Sequence, residues 1–434
     1  MIRLANVLIV DAERKRADAL AKRLMDAGYH ATVVDTSAAA TKVLVEHPDF
    51  VLVGSPDVEP VEFGRRIKAI DDYEDIPVVL IAEKVTPDLC SAAYENGLDD
   101  VLADGCDDGE LLARLRPLGR LATMHAELRQ RAATAQRFGV MARDRADGPT
   151  AGRPSILVIG DAPGPVRTLL AEDAEVTLAA TLYEGQDLLS RTNFDAAVVS
   201  FTADPDGLDA FCAQVRHNPR LFNLPLVVVA DASASAAEAY RRGATRVLSR
   251  PLDPTVLRTA ILTLVRRQKL RWAIRSALDD SLAPATRDPL TGSYNRGFLE
   301  PYLDARLAAA SSRHRHVSVV FFSTPSIASV RSQFGDDAGN HLLQQVGQWI
   351  SGLLRAEDLT ALFADNEFCV VLSDTPLAEA EVVMHRIAGV LAYTDFAVRE
   401  VYQPVKVWVQ VGATDIRAGD SVPTLLARAR QLLD

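Results

Sequence analysis

Two stretches of this chain repeat one another at an offset of about 147 residues, and the repeat limits the folds open to it. The first runs Val7-Leu8-Ile9-Val10, then Asp11 and a helix-like stretch to Gly28, then the apolar runs Val51-Leu52-Val53 and Val78-Val79-Leu80-Ile81. The second runs Ile156-Leu157-Val158-Ile159, then Gly160-Asp161, Ala196-Ala197-Val198-Val199 and Leu226-Val227-Val228-Val229. Pro77 and Pro225 stand just ahead of corresponding runs, and Gly97-Leu98-Asp99-Asp100 answers Gly243-Ala244-Thr245-Arg246. Short apolar runs separated by helical patterns predict parallel strands buried on both faces. The expected fold class is α/β: two doubly wound parallel sheets followed by a further α/β domain.

Bulk properties exclude several function classes. At 434 residues the chain has room for about three domains. Its 48% hydrophobic content is ample for packed cores. A net charge of −11 argues against nucleic-acid backbone or an anionic membrane as a broad partner. The apolar runs are too short to span a bilayer, so no membrane insertion is expected. Cys90, Cys106, Cys212 and Cys369 form no C-x-x-C and read as reduced thiols of a cytoplasmic protein. The eight histidines show no metal-ligand spacing, so no metal or cofactor is expected. Met1 is followed by a first strand rather than a signal-peptide layout. The expected domains are 1–122 and 154–275 for the repeats, 123–153 for a helical linker and hinge, 276–287 for a second linker, and 288–434 for the last domain. Residues 108–138 and 254–278 read as long helices, and Asp147–Pro154 as a Gly/Pro hinge.

Both repeats resemble response-regulator receiver domains, which are flavodoxin-like. The resemblance implies acidic metal ligands after the first strand and a phosphate-accepting Asp after the third. It also implies a Thr or Ser after the fourth strand and a Lys after the fifth. In the first repeat those positions hold Asp11 with Ala12, Gly54, a residue near Ile81, and Asp104. In the second they hold Asp161, Ser200, a residue near Ala230, and Arg250. Aspartyl-phosphate chemistry needs a carboxylate nucleophile beside a metal, and neither acceptor position supplies one. Asp57, three residues past Gly54, would be misplaced. The expectation is two degenerate receivers that serve as dimerisation and docking modules.

Asp288-Pro289-Leu290-Thr291-Gly292-Ser293-Tyr294-Asn295-Arg296 resembles the D-x-L-T-G-L-x-N-R that opens GGDEF domains, the fold of diguanylate cyclases. The resemblance runs over 288–434, with a strand at 317–322, a helix through Ile350, a strand pair around 364–368, a helix at 377–392 and a strand at 405–412. It implies that two metal ions held by carboxylates drive the condensation of two GTP molecules. The family's metal-binding Asp falls on Ser323, and its Gly-Gly-Asp/Glu-Glu-Phe signature on Ala364-Asp365-Asn366-Glu367-Phe368. An amide at 366 cannot supply an anionic ligand, and a Cβ at 364 or 365 blocks close approach of phosphate. The residues that read guanine fall on Arg331 and Asn340, and an Arg ahead of the signature on Leu362. The sequence ends at Asp434, ahead of a tail where the family places phosphate-contacting cations.

One family feature is kept. Product inhibition uses an R-x-x-D ending six residues before the signature, and Arg355 and Asp358 hold that register against Ala364. A further Arg eighteen residues beyond the signature Phe corresponds to Arg386. Arg offers a planar fork for guanine O6 and N7, and Asp accepts from N1–H and N2–H. The implied ligand is cyclic di-GMP. Arg306, Arg313 and Arg315 are either a second face for it or an ordinary basic loop.

The whole layout resembles degenerate GGDEF effectors with two receivers, paralogues of diguanylate cyclases. That resemblance implies a homodimeric cyclic di-GMP adaptor at the cell pole, with partners in cell-cycle proteolysis of the regulator CtrA by ClpXP. Two alternatives stay open from the residues: a weakly active cyclase with displaced metal ligands, and a ligand-independent dimeric scaffold. In the latter, an i, i+3 Arg–Asp pair would be a solvated surface bridge.

Overall fold

The computed structural model describes residues 5–146, 152–160, 164–200, 205–218, 220–230, 236–313 and 315–434. The first repeat forms β1 (Asn6–Val10), β2 (His30–Val34), β3 (Phe50–Val53), β4 (Val78–Ala82) and β5 (Asp100–Ala103). They make one parallel sheet in the order β2-β1-β3-β4-β5. The second forms β6 (Ser155–Gly160), β7 (Glu175–Ala179), β8 (Ala196–Ser200), β9 (Leu226–Ala230) and β10 (Arg246–Ser249). Their parallel order, β7-β6-β8-β9-β10, is the same arrangement again.

The repeat extends to side-chain devices at strand and helix starts. Asp49 accepts from the Asn6 N–H at 2.6 Å, and Asp195 accepts from the Ser155 N–H at 2.9 Å. Thr36 and Thr181 each cap a helix by accepting from the N–H three residues on. The central strands are buried throughout because helices cover both faces, which is why their sequences read as unbroken apolar runs rather than alternations.

The third sheet is mixed. β11 (Tyr294–Asn295), β12 (Val317–Ser323), β13 (Leu359–Ala364), β14 (Glu367–Ser373) and β15 (Gln410–Asp415) lie in the order β11-β13-β14-β12-β15. Along β12 the faces alternate. Val320 and Phe322 pack with Leu342, Val346 and Ile350, whereas Val319 and Phe321 pack with Phe298 and Leu303.

Two expectations are corrected here. The helix through Ile350 is two helices, Ser326–Phe334 and Asp336–Gly352, broken at Gly335, whose φ of 93° ends the first. The strand expected at 405–412 pairs with β12 only from Gln410 onward. The alternating valines before it, Val405, Val407 and Val409, pack against the core without joining the ladder, apart from one bridge between Val405 and Phe396.

The chain forms two compact units. One contains both repeats, Ala5–Ala122 with Asp147–Ala273; the other contains the third sheet, Ile274–Asp434, together with Thr123–Ala146. The long helix Asp108–Gln136 therefore gives its second half to the unit with the mixed sheet. Residues 147–151 of the Gly/Pro hinge lie outside the described residues. Among the described residues no helix is long and apolar enough to cross a membrane.

Within the first unit, Asp100 at the start of β5 joins the two repeats. Its Oδ1 accepts from Arg114 Nη2 at 2.6 Å and from Arg246 Nη1 of the second repeat at 2.5 Å. Burial opposes the charge on Asp100, but the two guanidinium groups outweigh burial and hold the carboxyl well below the usual range. Arg267 donates to the Asp99 carbonyl at 2.8 Å beside it. Replacing Asp100 by Ala would leave Arg246 buried without its carboxylate and Arg114 with the Glu110 carboxylate alone. We expect a loss of about 3–5 kcal/mol in urea unfolding. Because the folded pKa is depressed, the wild-type contribution is present above about pH 4 and fades as pH falls below it. The mutant should lose that pH dependence.

Candidate functional site

In the first repeat, β1 and β3 run side by side and set Asp11 against Gly54. Asp11 is buried, and Arg16 from the following helix grips it with both prongs. Nε donates to Oδ2 at 2.7 Å and Nη2 to Oδ1 at 2.8 Å. Nη2 also donates to Ser55 Oγ at 3.0 Å. Burial pushes the Asp11 pKa up, but Arg16 and the Glu13 and Ser55 N–H groups bring it below the ordinary value. A guanidinium thus fills the place beside this carboxylate. A Cβ on Gly54 would lie 2.2 Å from Asp11 Oδ2 and 2.6 Å from its Cγ. Asp57 faces elsewhere and accepts from the Ser37 N–H at 2.6 Å. Asp104 follows β5, its N–H donating to the Ala82 carbonyl at 2.7 Å.

In the second repeat Ser200 ends β8, and Arg250 reaches it, Nη2 donating to Oγ at 2.7 Å. Asp161 lies outside the described residues. Among the described residues no group of three or more His, Cys, Asp or Glu side chains could hold a metal ion. From this packing, Gly54→Asp should take up no phosphoryl group from acetyl phosphate with Mg²⁺, read by intact mass, because Arg16 already occupies Asp11. A stoichiometric mass gain would contradict this.

The hairpin of β13 and β14 turns at Asp365-Asn366 and brings Asn366 beside Ser323. The Thr324 N–H donates to the Asn366 carbonyl at 2.9 Å, and Ser323 pairs with Glu367 in the sheet. Glu367 is bound by Arg430, with Nε 2.9 Å from Oε2 and Nη2 donating to Oε1 at 3.0 Å. Phe368 is fully buried against Gly347, and Leu362 faces the core. The register shifts between Leu362 and Ala364. Arg331 Nη2 donates to Asn340 Oδ1 at 3.1 Å, so the two residues at base-reading positions bond to each other.

The three residues of the kept motif come together at the end of the helix Asp336–Gly352. The chain turns there, the Arg355 N–H donating to Asp358 Oδ2 at 3.0 Å and the Asp358 N–H to the Arg355 carbonyl at 3.2 Å. Arg386 arrives from the helix Leu377–Tyr393, its Nη2 donating to the Leu353 carbonyl at 3.1 Å, a cation at a helix C-terminus. Asp358 Oδ1 is shielded and has no hydrogen-bond partner. Most buried acceptors are satisfied, and this oxygen is one of the few buried polar atoms among the described residues that is not. Arg355 and Arg386 form no ion pair among the described residues.

Two of the basic-loop residues are accounted for otherwise. Arg306 sits 3.2 Å from Glu127 and Arg315 2.6 Å from Asp374, so neither offers a free face, and the Arg313 side chain is outside the described residues. Arg131, which no sequence motif marks, donates from Nη2 to the carbonyls of Glu357 and Asp358 at 2.7 and 3.0 Å. It lies 224 residues ahead of Arg355, and no local pattern links the two.

Residues 285–434 match the family profile described as Diguanylate cyclase, GGDEF domain. This part of the chain has the GGDEF fold. Over 436 aligned residues the chain is 29% identical to Response regulator PleD of Caulobacter vibrioides, covering 98% of this chain and 95% of that protein. It is 27% identical to Diguanylate cyclase DgcP of Pseudomonas aeruginosa over 37% of this chain and 24% of that one. A crystal structure of diguanylate cyclase SiaD with its activator SiaC, also from Pseudomonas aeruginosa, is 25% identical over 34% of this chain and 55% of that chain, with a TM-score of 0.32. The similarity to PleD spans both receiver-like sheets and the GGDEF domain.

Burial, with Glu357 beside it, pushes the Asp358 pKa up to about 7 against the opposing pull of Arg355. The folded carboxyl then keeps a proton that the unfolded chain has released. Its contribution to stability is fully present below about pH 4 and is lost as pH rises towards 7. Asp358→Asn should flatten that part of the pH–stability curve measured by urea unfolding. An unchanged slope would place the titration elsewhere.

Proposed function

We propose that this protein is a cyclic di-GMP receptor whose GGDEF domain binds the dinucleotide at Arg355, Asp358 and Arg386 and does not synthesise it. The observation that carries this reading is the unpartnered Asp358 Oδ1 near Arg355, with Arg386 held at the Leu353 carbonyl two residues before Arg355 and neither arginine in an ion pair among the described residues. A guanine edge offers what each lacks: N1–H and N2–H donors for the carboxylate, and O6 and N7 acceptors for an Arg fork. The chemistry for synthesis is missing from the hairpin. Ser323 and Asn366 supply no carboxylate for a metal, and Glu367 is engaged with Arg430. The receivers are degenerate for a parallel reason: Arg16 occupies Asp11, and the acceptor positions are Gly54 and Ser200. In this reading the domains run 1–122, 154–275 and 288–434, joined by the linkers at 123–153 and 276–287.

The layout resembles PopA of alphaproteobacterial cell-cycle control. By that resemblance the protein acts as a cytoplasmic homodimer that, with ligand bound, gathers partners and substrates such as CtrA for ClpXP at the cell pole.

Calorimetric titration of cyclic di-GMP into wild type and Arg355→Ala tests the receptor reading. Charge-assisted hydrogen bonds contribute about 1.5–3 kcal/mol each, so the mutant should bind about tenfold to a hundredfold more weakly. GTP with Mg²⁺ should yield no cyclic di-GMP. Folded wild type that binds nothing would favour the ligand-independent scaffold, and turnover of GTP would favour a cyclase.

A further inference from the structure

The second half of the helix Asp108–Gln136 carries a chain of polar groups into the interior of the GGDEF-containing unit. Glu127 is fully buried. Its Oε2 accepts from Tyr302 Oη at 2.7 Å, and its Oε1 accepts from Ser373 Oγ at 2.7 Å with Arg306 Nη1 3.2 Å away. One turn earlier, Thr123 Oγ1 donates to Asp374 Oδ2 at 2.6 Å. A carboxylate this deep persists only where cations and donors surround it, so the helix has one register on the domain. One turn later that register delivers Arg131, also buried, to the R-x-x-D turn. Its Nη2 bonds both the Glu357 and the Asp358 carbonyls, and its guanidinium lies over the Tyr294 ring at 5.8 Å.

We infer that Arg131 is a positioning residue for the ligand site: its fork fixes the Glu357–Asp358 backbone and so aims the Asp358 carboxylate at the ligand. The inference rests on the reading of Arg355, Asp358 and Arg386 as that site. The binding module therefore includes a helical segment far upstream of the GGDEF sequence. Arg131 also acts through charge. Around Asp358, Glu357 raises its pKa and Arg355 and Arg131 lower it, while Arg386 is held at the Leu353 carbonyl. Removing Arg131 should make Asp358 harder to ionise, and with it the guanine-accepting form.

The test uses the full chain as wild type, Arg131→Ala and Arg131→Lys. Cyclic di-GMP is titrated between about pH 6 and 9, and the Asp358 carboxyl resonance is followed without ligand. Arg131→Ala should bind at least about tenfold more weakly, with the Asp358 midpoint moved upward. Arg131→Lys keeps the cation but not the fork. It should restore the midpoint while affinity stays below wild type. Folded variants with wild-type affinity and an unmoved midpoint overturn the inference, as does a lowered melting temperature with both unchanged. If Arg131→Ala fails to fold, Arg131→Lys decides: wild-type affinity there overturns it. Wild type that binds nothing overturns the ligand reading itself, while the Asp358 midpoint still decides whether Arg131 positions that carboxylate.

Discussion

A carboxylate taken out of water must be met by cations or by enough hydrogen-bond donors, or it stays protonated. Much of this structure follows from how the chain meets that demand with arginine. Asp11 is gripped by Arg16, Asp100 by Arg114 and Arg246, Glu127 is ringed by Arg306, Tyr302 and Ser373, and Glu367 is held by Arg430. These pairs join the two receiver-like sheets to each other and seat the linker helix on the mixed sheet. Asp358 departs from the pattern. It takes a backbone N–H on one oxygen, keeps the other unsatisfied, and is held close to neutrality instead.

Guanidinium groups also stand against carboxylates at the first repeat and at the signature hairpin. At Asp11 an arginine supplies the positive charge internally, and the glycine at 54 has no room for a side chain. At the signature hairpin Glu367 turns to Arg430, and neither Ser323 nor Asn366 adds a carboxylate. At the end of the helix Asp336–Gly352, Arg355 and Arg386 form no ion pair among the described residues, and Asp358 Oδ1 is left without a hydrogen-bond partner. A site that is incomplete in this way suits a ligand bringing both donors and acceptors.

Much of the fold was legible because it rests on short-range rules. Apolar runs such as Val78–Ile81 and Leu226–Val229 announced buried parallel strands, and the repeat doubled that signal. The break at Gly335 was hidden because the helical period continues across it. The valines at 405–409 gave a strand's alternation without a partner to bond, so the ladder starts later than the pattern. The spacing of Arg355, Asp358 and Arg386 singled out residues that lie near one another in the fold, since one turn and one helix separate them from the hairpin. What no pattern carried was Arg131, a long-range contact to backbone carbonyls, or that Arg306 and Arg315 are committed to Glu127 and Asp374.

The measurement that bears most directly on the central claim is a crystal structure of the full chain grown with cyclic di-GMP. The account predicts density for the dinucleotide at the end of the helix Asp336–Gly352, with a guanine N1–H donating to Asp358 Oδ1 and the Arg355 and Arg386 guanidinium groups turned onto the ligand. Ligand seated at the Asp365-Asn366 hairpin instead, or Asp358 Oδ1 still without a donor in a saturated crystal, would contradict it.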